Sequence, residues 1–506
     1  MKKLIYISVF LLSLTSCDDE LEQANPNVLT EESFWETEGD ALSALAATYK
    51  YLKQNTFGYW GYRVVQLQNA RADDFFLRND NRGLYQLSTF SNSPTTDTPG
   101  FLFSGAYTGI FRANQVITNT PNSNIQEGIQ NQLVAEAKFL RALNYYHLVL
   151  NFEAVPIFTT VPQVREDYFK AKSTREEIWI QIENDFQEAK SVLPTSYPPE
   201  WVGRATRGAA IGYLGKSYVY QEKWEEAINE FELLVEPTGE AKAPYNYKLL
   251  EDYEHNFMAE FDNNEESLFE IQIQNVGGSD AWGGENANES QGVVIAYGMA
   301  PTEVGGWFQM HPTNKMFNEF QKERTVDGDF DPRMYASIVW DYPGAMFYNR
   351  PFTEFEQVFN KNAKVRKYQN WRNDNEGIPG SSEINEKALR FADILLLYAE
   401  ALTMQGRVAE ALPLVNRIRN RADLTDLLSV LDKNAMMDEI QHQRMVEFFR
   451  EGQRFYDLRR WGLLDEEISA SDKEGREFFD EDRHDFFPIP QDEMNTNPEI
   501  EQDPNW

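Results

Sequence analysis

The sequence predicts a mainly α protein: a scaffold of about four tetratricopeptide-like helix pairs carrying a loop-rich, irregular layer. Three observations predict it. Apolar residues recur at helical spacing in 37–52 (Ala41, Leu45, Thr48, Leu52) and in 133–152 (Leu133, Ala137, Leu140, Tyr145, Leu148). Two segments repeat the large–small–aromatic pattern of a helix pair: Leu214, Gly215, Tyr218, Trp224, Ala227 and Phe231, then Tyr398, Ala399, Leu402, Val408, Ala411 and Val415, each matched pair 184 positions apart. Between the repeats, residues 240–385 lose helical periodicity and fill with Gly, Asn, Trp and Tyr. An irregular stretch of that length in a helical chain points to a functional layer.

Taken in order, residues 1–16 read as a signal peptide: Met1-Lys2-Lys3, an apolar run from Leu4 to Leu14, and small residues before Cys17. The run is shorter than the roughly 20 residues a membrane span needs. Cys17 is the single cysteine of 506 residues, and with a cysteine at the cut the segment resembles a bacterial lipoprotein signal, which implies that Cys17 is lipidated. Residues 17–30 are then a lipidated cysteine and a flexible tether. The first large region is 31–240 and the second 241–506. Residues 56–104, rich in Gly, Asn, Asp, Pro and aromatics, read as loops. Ser173-Thr174-Arg175-Glu176-Glu177 reads as a capping box opening a helix to about Leu193. The last helices are expected at 388–422 and 435–461.

Composition narrows the function. The chain is 42% hydrophobic and 14% aromatic, with 11 Trp and 34 Phe, so it has a core to bury. Its formal charge of −34 argues against nucleic acid and against recruitment to anionic lipid, both of which need basic patches. Five histidines form no HExxH, and GGSDAWGG at 277–284 lacks the lysine and preceding strand of a phosphate loop. No metal, cofactor or catalytic residue is therefore assigned. A glycosidase, needing only two carboxylates, stays open as the less favoured alternative. Arg444, Glu447, Glu451 and Arg454 share a helix face, and Asp393, Glu400, Glu136 and Arg141 sit in apolar runs; these charges are expected to pair internally.

Sugar recognition suits the remaining residues better. A sugar offers an apolar face and a rim of hydroxyls, matched by aromatic rings with amide, carboxylate or Arg groups beside them. Such groups cluster in two stretches: Trp60, Tyr62, Asn69, Arg71, Asp73 and Asp74, then Trp282, Asn286, Trp307 and Gln309, followed by Tyr342, Phe347, Tyr348 and Arg350. Trp60, Trp282 and Trp307 are flanked by glycines, which argues for loops. Trp35, Trp179, Trp224 and Trp461 fall on helices and are expected in the core.

Several segments together resemble the SusD/RagB family. They are Phe34-Trp35-Glu36-Thr37-Glu38, Ala135 to Ala142 running on to Val155-Pro156, Gly203-Arg204-Ala205-Thr206, Asp331-Pro332-Arg333, Arg390 to Glu400, Asn416-Arg417-Ile418-Arg419, Glu447 to Trp461, and Pro488-Ile489-Pro490. Gln443 and Gln453 depart from it, standing where Glu and His are common. The resemblance implies a non-catalytic, lipid-anchored glycan-binding protein on the outer face of the outer membrane, with a SusC-like TonB-dependent transporter as partner. It implies ligand contacts from loops in the same two stretches, and it makes Asp18-Asp19-Glu20 similar to an export signal. Exposed aromatics on an acidic chain favour a neutral glycan such as a β-glucan or fructan. A surface scaffold and a peptide-binding relative are the alternatives.

Overall fold

The computed structural model describes residues 34–275, 293–355, 363–377, 382–428 and 431–506. The protein is mainly helical, as the periodicity predicts. α1 (Glu38–Lys53) starts at a capping box in which Thr37 and Asp40 satisfy each other's backbone N–H. α2 (Tyr62–Ala70), α3 (Arg82–Ser88) and α4 (Asp97–Asn119) follow. Here the expectation of loops over 56–104 is corrected. Glycine occurs there because the chain passes other groups at close quarters: a Cβ on Gly61 would collide with the Gln54 carbonyl oxygen, and one on Gly83 would collide with the Asp97 carboxylate.

α5 (Glu127–Phe152) is the buried central helix, with an almost unbroken interior run from Leu133 to Phe152. α6 (Arg175–Val192) opens on the predicted capping box of Thr174 and Glu177. α7 (Arg207–Val219) and α8 (Trp224–Phe231) form the first repeat pair, and Gly215 is where the Phe231 ring seats.

Apart from β1 (Phe75–Leu77), between α2 and α3, and β8 (Glu386–Arg390), the short elements lie in the irregular region: β2 (Ser267–Ile271), α9 (Ile295–Met299), β3 (Met310–Pro312), α10 (Asn314–Glu319), α11 (Pro332–Ser337), β4 (Ile338–Trp340), β5 (Met346–Phe347), β6 (Arg350–Pro351) and β7 (Ala363–Val365). The strands pair only in twos, β1 with β3, β2 with β8, β4 with β7 and β5 with β6, all antiparallel. α12 (Phe391–Met404) and α13 (Val408–Arg421) form the second repeat pair, followed by α14 (Lys433–Glu447) and α15 (Arg454–Trp461).

Helices α4 to α8 pack in succession, α8 lies against α12, and α12 carries α13 and α14. The two repeat pairs thus meet, with Phe231 and Tyr398 rings 6.0 Å apart. No described helix is long and apolar enough to cross a membrane.

The predicted internal ion pairs are present. Glu447 takes Arg333 (3.3 Å), Arg390 (3.0 Å) and Arg421 (2.5 Å), and Glu451 takes Lys367 and Arg390 (2.7 Å each). Arg444 bridges Asp393 and Asp457 at 2.8 Å, Glu136 holds Arg204, and Arg141 holds Asp185. Gln453, one of the two departures, joins the same network: its Oε1 accepts from Lys216 and Arg444, 3.0 Å each. Gln443 donates to Glu323 (3.1 Å) and Glu439 (2.9 Å).

Candidate functional site

The pairing of β1 with β3, Phe75 opposite Pro312 and Leu77 opposite Met310, joins the two stretches singled out in the sequence. Arg78 N–H extends the contact to the Gln309 carbonyl at 3.0 Å, and its guanidinium donates to the Trp307 carbonyl at 3.3 Å.

Trp307 is presented by a glycine turn. Gly305 has φ +90°, and a Cβ on Gly306 would collide with the Ala300 carbonyl, so the chain can fold back only with glycine there. Trp307 N–H then bonds the Tyr297 carbonyl at 2.9 Å. The half-buried indole stands edge-on to Tyr297 (5.1 Å) and to Tyr62 (5.3 Å). Tyr62 lies beneath it, 2% exposed, with its hydroxyl on Gln309. Arg350 is exposed beside the same loop and donates to the Glu303 carbonyl at 3.2 Å. It follows a hairpin turn in which Tyr348 (φ +49°) and Asn349 (φ +57°) both adopt the left-handed conformation of a type I′ turn.

Several expected contact residues lie in the interior, Trp60, Arg71 and Asp73 among them. Trp60 is 6% exposed and packs edge-on against Tyr59 (4.7 Å) and His147 (5.0 Å). The flanking Gly58 and Gly61 serve to bring its backbone against the end of α1, where any Cβ would collide with Gln54. Arg71 is buried between the rings of Phe455 (3.7 Å) and Phe487 (4.0 Å), donating to the carbonyls of His484 and Asp485; burial brings its pKa down to about 9. Asp73 is wholly buried and paired with Arg454 (2.9 Å) and Lys315 (2.8 Å), and these cations outweigh burial to hold its carboxyl well below the usual range. Burial and the Asp73 charge push neighbouring Asp74 up to about 7.

Asn69 is interior too, accepting from Gly452 N–H at 3.0 Å. Phe347 and Tyr348 fill a second small core, and Tyr342 lies half-buried against Trp340. Trp282 and Asn286 lie outside the described residues, as does Cys17. The chain on either side of 276–292 is anchored: Ile273 N–H on Asn385 (2.7 Å) and Val294 N–H on Asn55 (3.2 Å). Sequence reasoning missed Tyr297, Arg78 and Glu303. No local pattern marks Tyr297; only the return of the chain after Gly305-Gly306 sets it against Trp307.

Residues 265–506 match the SusD family, and residues 31–219 match the family described as "Starch-binding associating with outer membrane". A crystal structure of a SusD superfamily protein from Bacteroides vulgatus is 36% identical, with a TM-score of 0.84 over 94% of this chain and all of the other. The chain belongs to the SusD family. A laminarin-binding SusD-like protein is 27% identical, with a TM-score of 0.78 over 93% of this chain and all of that one. SusD-like protein P2 of Formosa agariphila is 27% identical, covering 98% of both chains.

Proposed function

We propose that this SusD-family protein captures a neutral oligosaccharide or polysaccharide at the cell surface without cleaving it, and hands it to a SusC-like TonB-dependent transporter. The observation that carries the reading is Trp307. A glycine turn presents it, Tyr297 and Tyr62 brace it, and its indole keeps part of its surface open while most other aromatics near it are interior. Arg78 and Arg350 supply donors on the same loop. An aromatic face edged by fixed donors complements a sugar ring. Trp282 and Asn286 belong to this proposal as further contacts; the described chain resumes at Val293 and leads into α9, which packs on α2, the helix that carries Tyr62.

A β-glucan is the favoured ligand class, supported by the laminarin-binding relative. Cys17 would hold the protein to the outer membrane through its lipid, with 18–30 as tether. Affinity electrophoresis against laminarin, inulin and a panel of charged glycans tests the reading. Retardation by laminarin or another neutral glycan is expected, weakened about tenfold or more in Trp307→Ala, in line with the loss of a sugar-stacking aromatic ring. Release of reducing ends over hours would replace capture by hydrolysis, and retardation by no glycan would favour the scaffold alternative.

A further inference from the structure

On the helical side a cavity of about 540 Å³ opens between the start of α6, the α7–α8 turn, α15 and the corner at Asp485-Phe486. It shares no lining residue with the Trp307 face, and its volume lies within the roughly 300–1,000 Å³ of small-molecule sites. Its chemistry is unlike that of the acidic chain around it. Arg175 and Arg459 both lie over the Phe486 ring, 5.7 and 4.3 Å from its centroid. Among the described residues, neither guanidinium has a carboxylate within 4.0 Å. Arg459 spends its bonds on the carbonyls of Leu150 (2.8 Å) and Asp485 (2.9 Å). The other two cations of the wall are already matched, Arg460 by Glu400 and Asp457 and Lys223 by Glu183. Burial brings Arg459 down to about 10; the nearby Asp485 carboxylate opposes this and the adjacent Arg175 charge adds to it.

Two further lining atoms lack partners. Trp179 is 3% exposed and its indole N–H meets no acceptor; the buried Oδ1 of Asp485 meets no donor. Buried polar atoms are seldom left so. What would complete them is specific: an anionic group shared by two guanidiniums, an acceptor for the indole, and a hydroxyl for Asp485. Glu176 and Glu222 also border the cavity but are exposed, so water screens them.

We propose that this cavity binds a small sugar acid, its carboxylate on Arg175 and Arg459 and its hydroxyls on Trp179 Nε1 and Asp485 Oδ1. A polyhydroxylated carboxylate is the ligand class that satisfies all four groups at once.

Calorimetric titration of the soluble full-length mature protein with sodium glucuronate and with glucose tests this. Glucuronate is expected to bind at least about tenfold tighter than glucose, because its carboxylate adds charge-assisted hydrogen bonds. Trp179→Phe removes the N–H and keeps an aromatic ring; it should weaken glucuronate about three- to tenfold, the worth of one neutral hydrogen bond. Arg175→Gln should erase the preference over glucose, and its half-buried position at the start of α6 makes it the variant that folds should Trp179→Phe not. Absence of saturable glucuronate binding, equal affinity for glucose, or wild-type affinity in the folded variants would overturn the proposal.

Discussion

Asp73 shows how a residue's surroundings decide its role. A carboxylate fully removed from water must be matched, and Asp73 is matched twice, by Arg454 and Lys315. Asp73→Asn leaves those cations short of a counter-charge and is expected to cost about 3 kcal/mol, read as a lower denaturant midpoint with unchanged slope. Trp307→Ala should do the opposite: lower glycan affinity while moving the unfolding midpoint little, because the indole is only half-buried. His442 carries a pH signature. Burial would depress its pKa, but Glu319 (2.6 Å) and Glu323 (3.3 Å) overcome burial and raise it to about 9 from 6.5. A histidine raised on folding contributes stability in full below pH 6.5 and loses it as pH climbs through 9. Relative to His442→Gln, the wild type should therefore lose up to about 3 kcal/mol between those pH values. A stability difference that stays flat across that window would contradict this assignment.

At the scale of elements, caps and close approaches govern. Thr174 accepts from Glu177 N–H at 3.2 Å while the Glu177 carboxylate takes the Thr174 N–H at 2.9 Å. Thr174→Ala should cost about 1 kcal/mol in thermal or chemical unfolding. Gly215 is more telling. In an exposed helix, Gly→Ala stabilises by about 1 kcal/mol. Here the new Cβ would lie 2.5 Å from the Phe231 ring. Overpacking in a tight core costs about 1–3 kcal/mol, so Gly215→Ala should lower the melting temperature instead of raising it. The long helices and the repeat pairs were legible because their apolar spacing is local. The helices inside 56–104 were not, because Gly, Pro and Asn read as loop signals locally. The glycines there instead let the chain pass close to Gln54 and to Asp97, which a local loop signal does not reveal.

Across the whole molecule, the helical row and the irregular layer are held together by different means. The row is pinned by buried arginine–carboxylate networks. The irregular layer gains its shape from two-strand pairings and from glycine turns. If Cys17 is lipidated, Cys17→Ala should shift the protein from the membrane fraction to the soluble fraction while leaving its melting temperature unchanged. A lipid anchor would also keep the binder at high effective concentration beside the proposed transporter. By itself the sequence determined the mainly helical class, the repeat pairs, the capped helix starts and the internal pairing of the helix charges. Each follows from spacing within a few turns or from the cost of burying a charge. Only the tertiary structure decided which polar and aromatic loop residues face outward. Trp60 and Trp307 share a glycine-flanked context, yet one is driven into the core beside His147 and the other stands at the surface on Tyr297. That difference is set by which distant segments pack against each turn, and by nothing in the turns themselves.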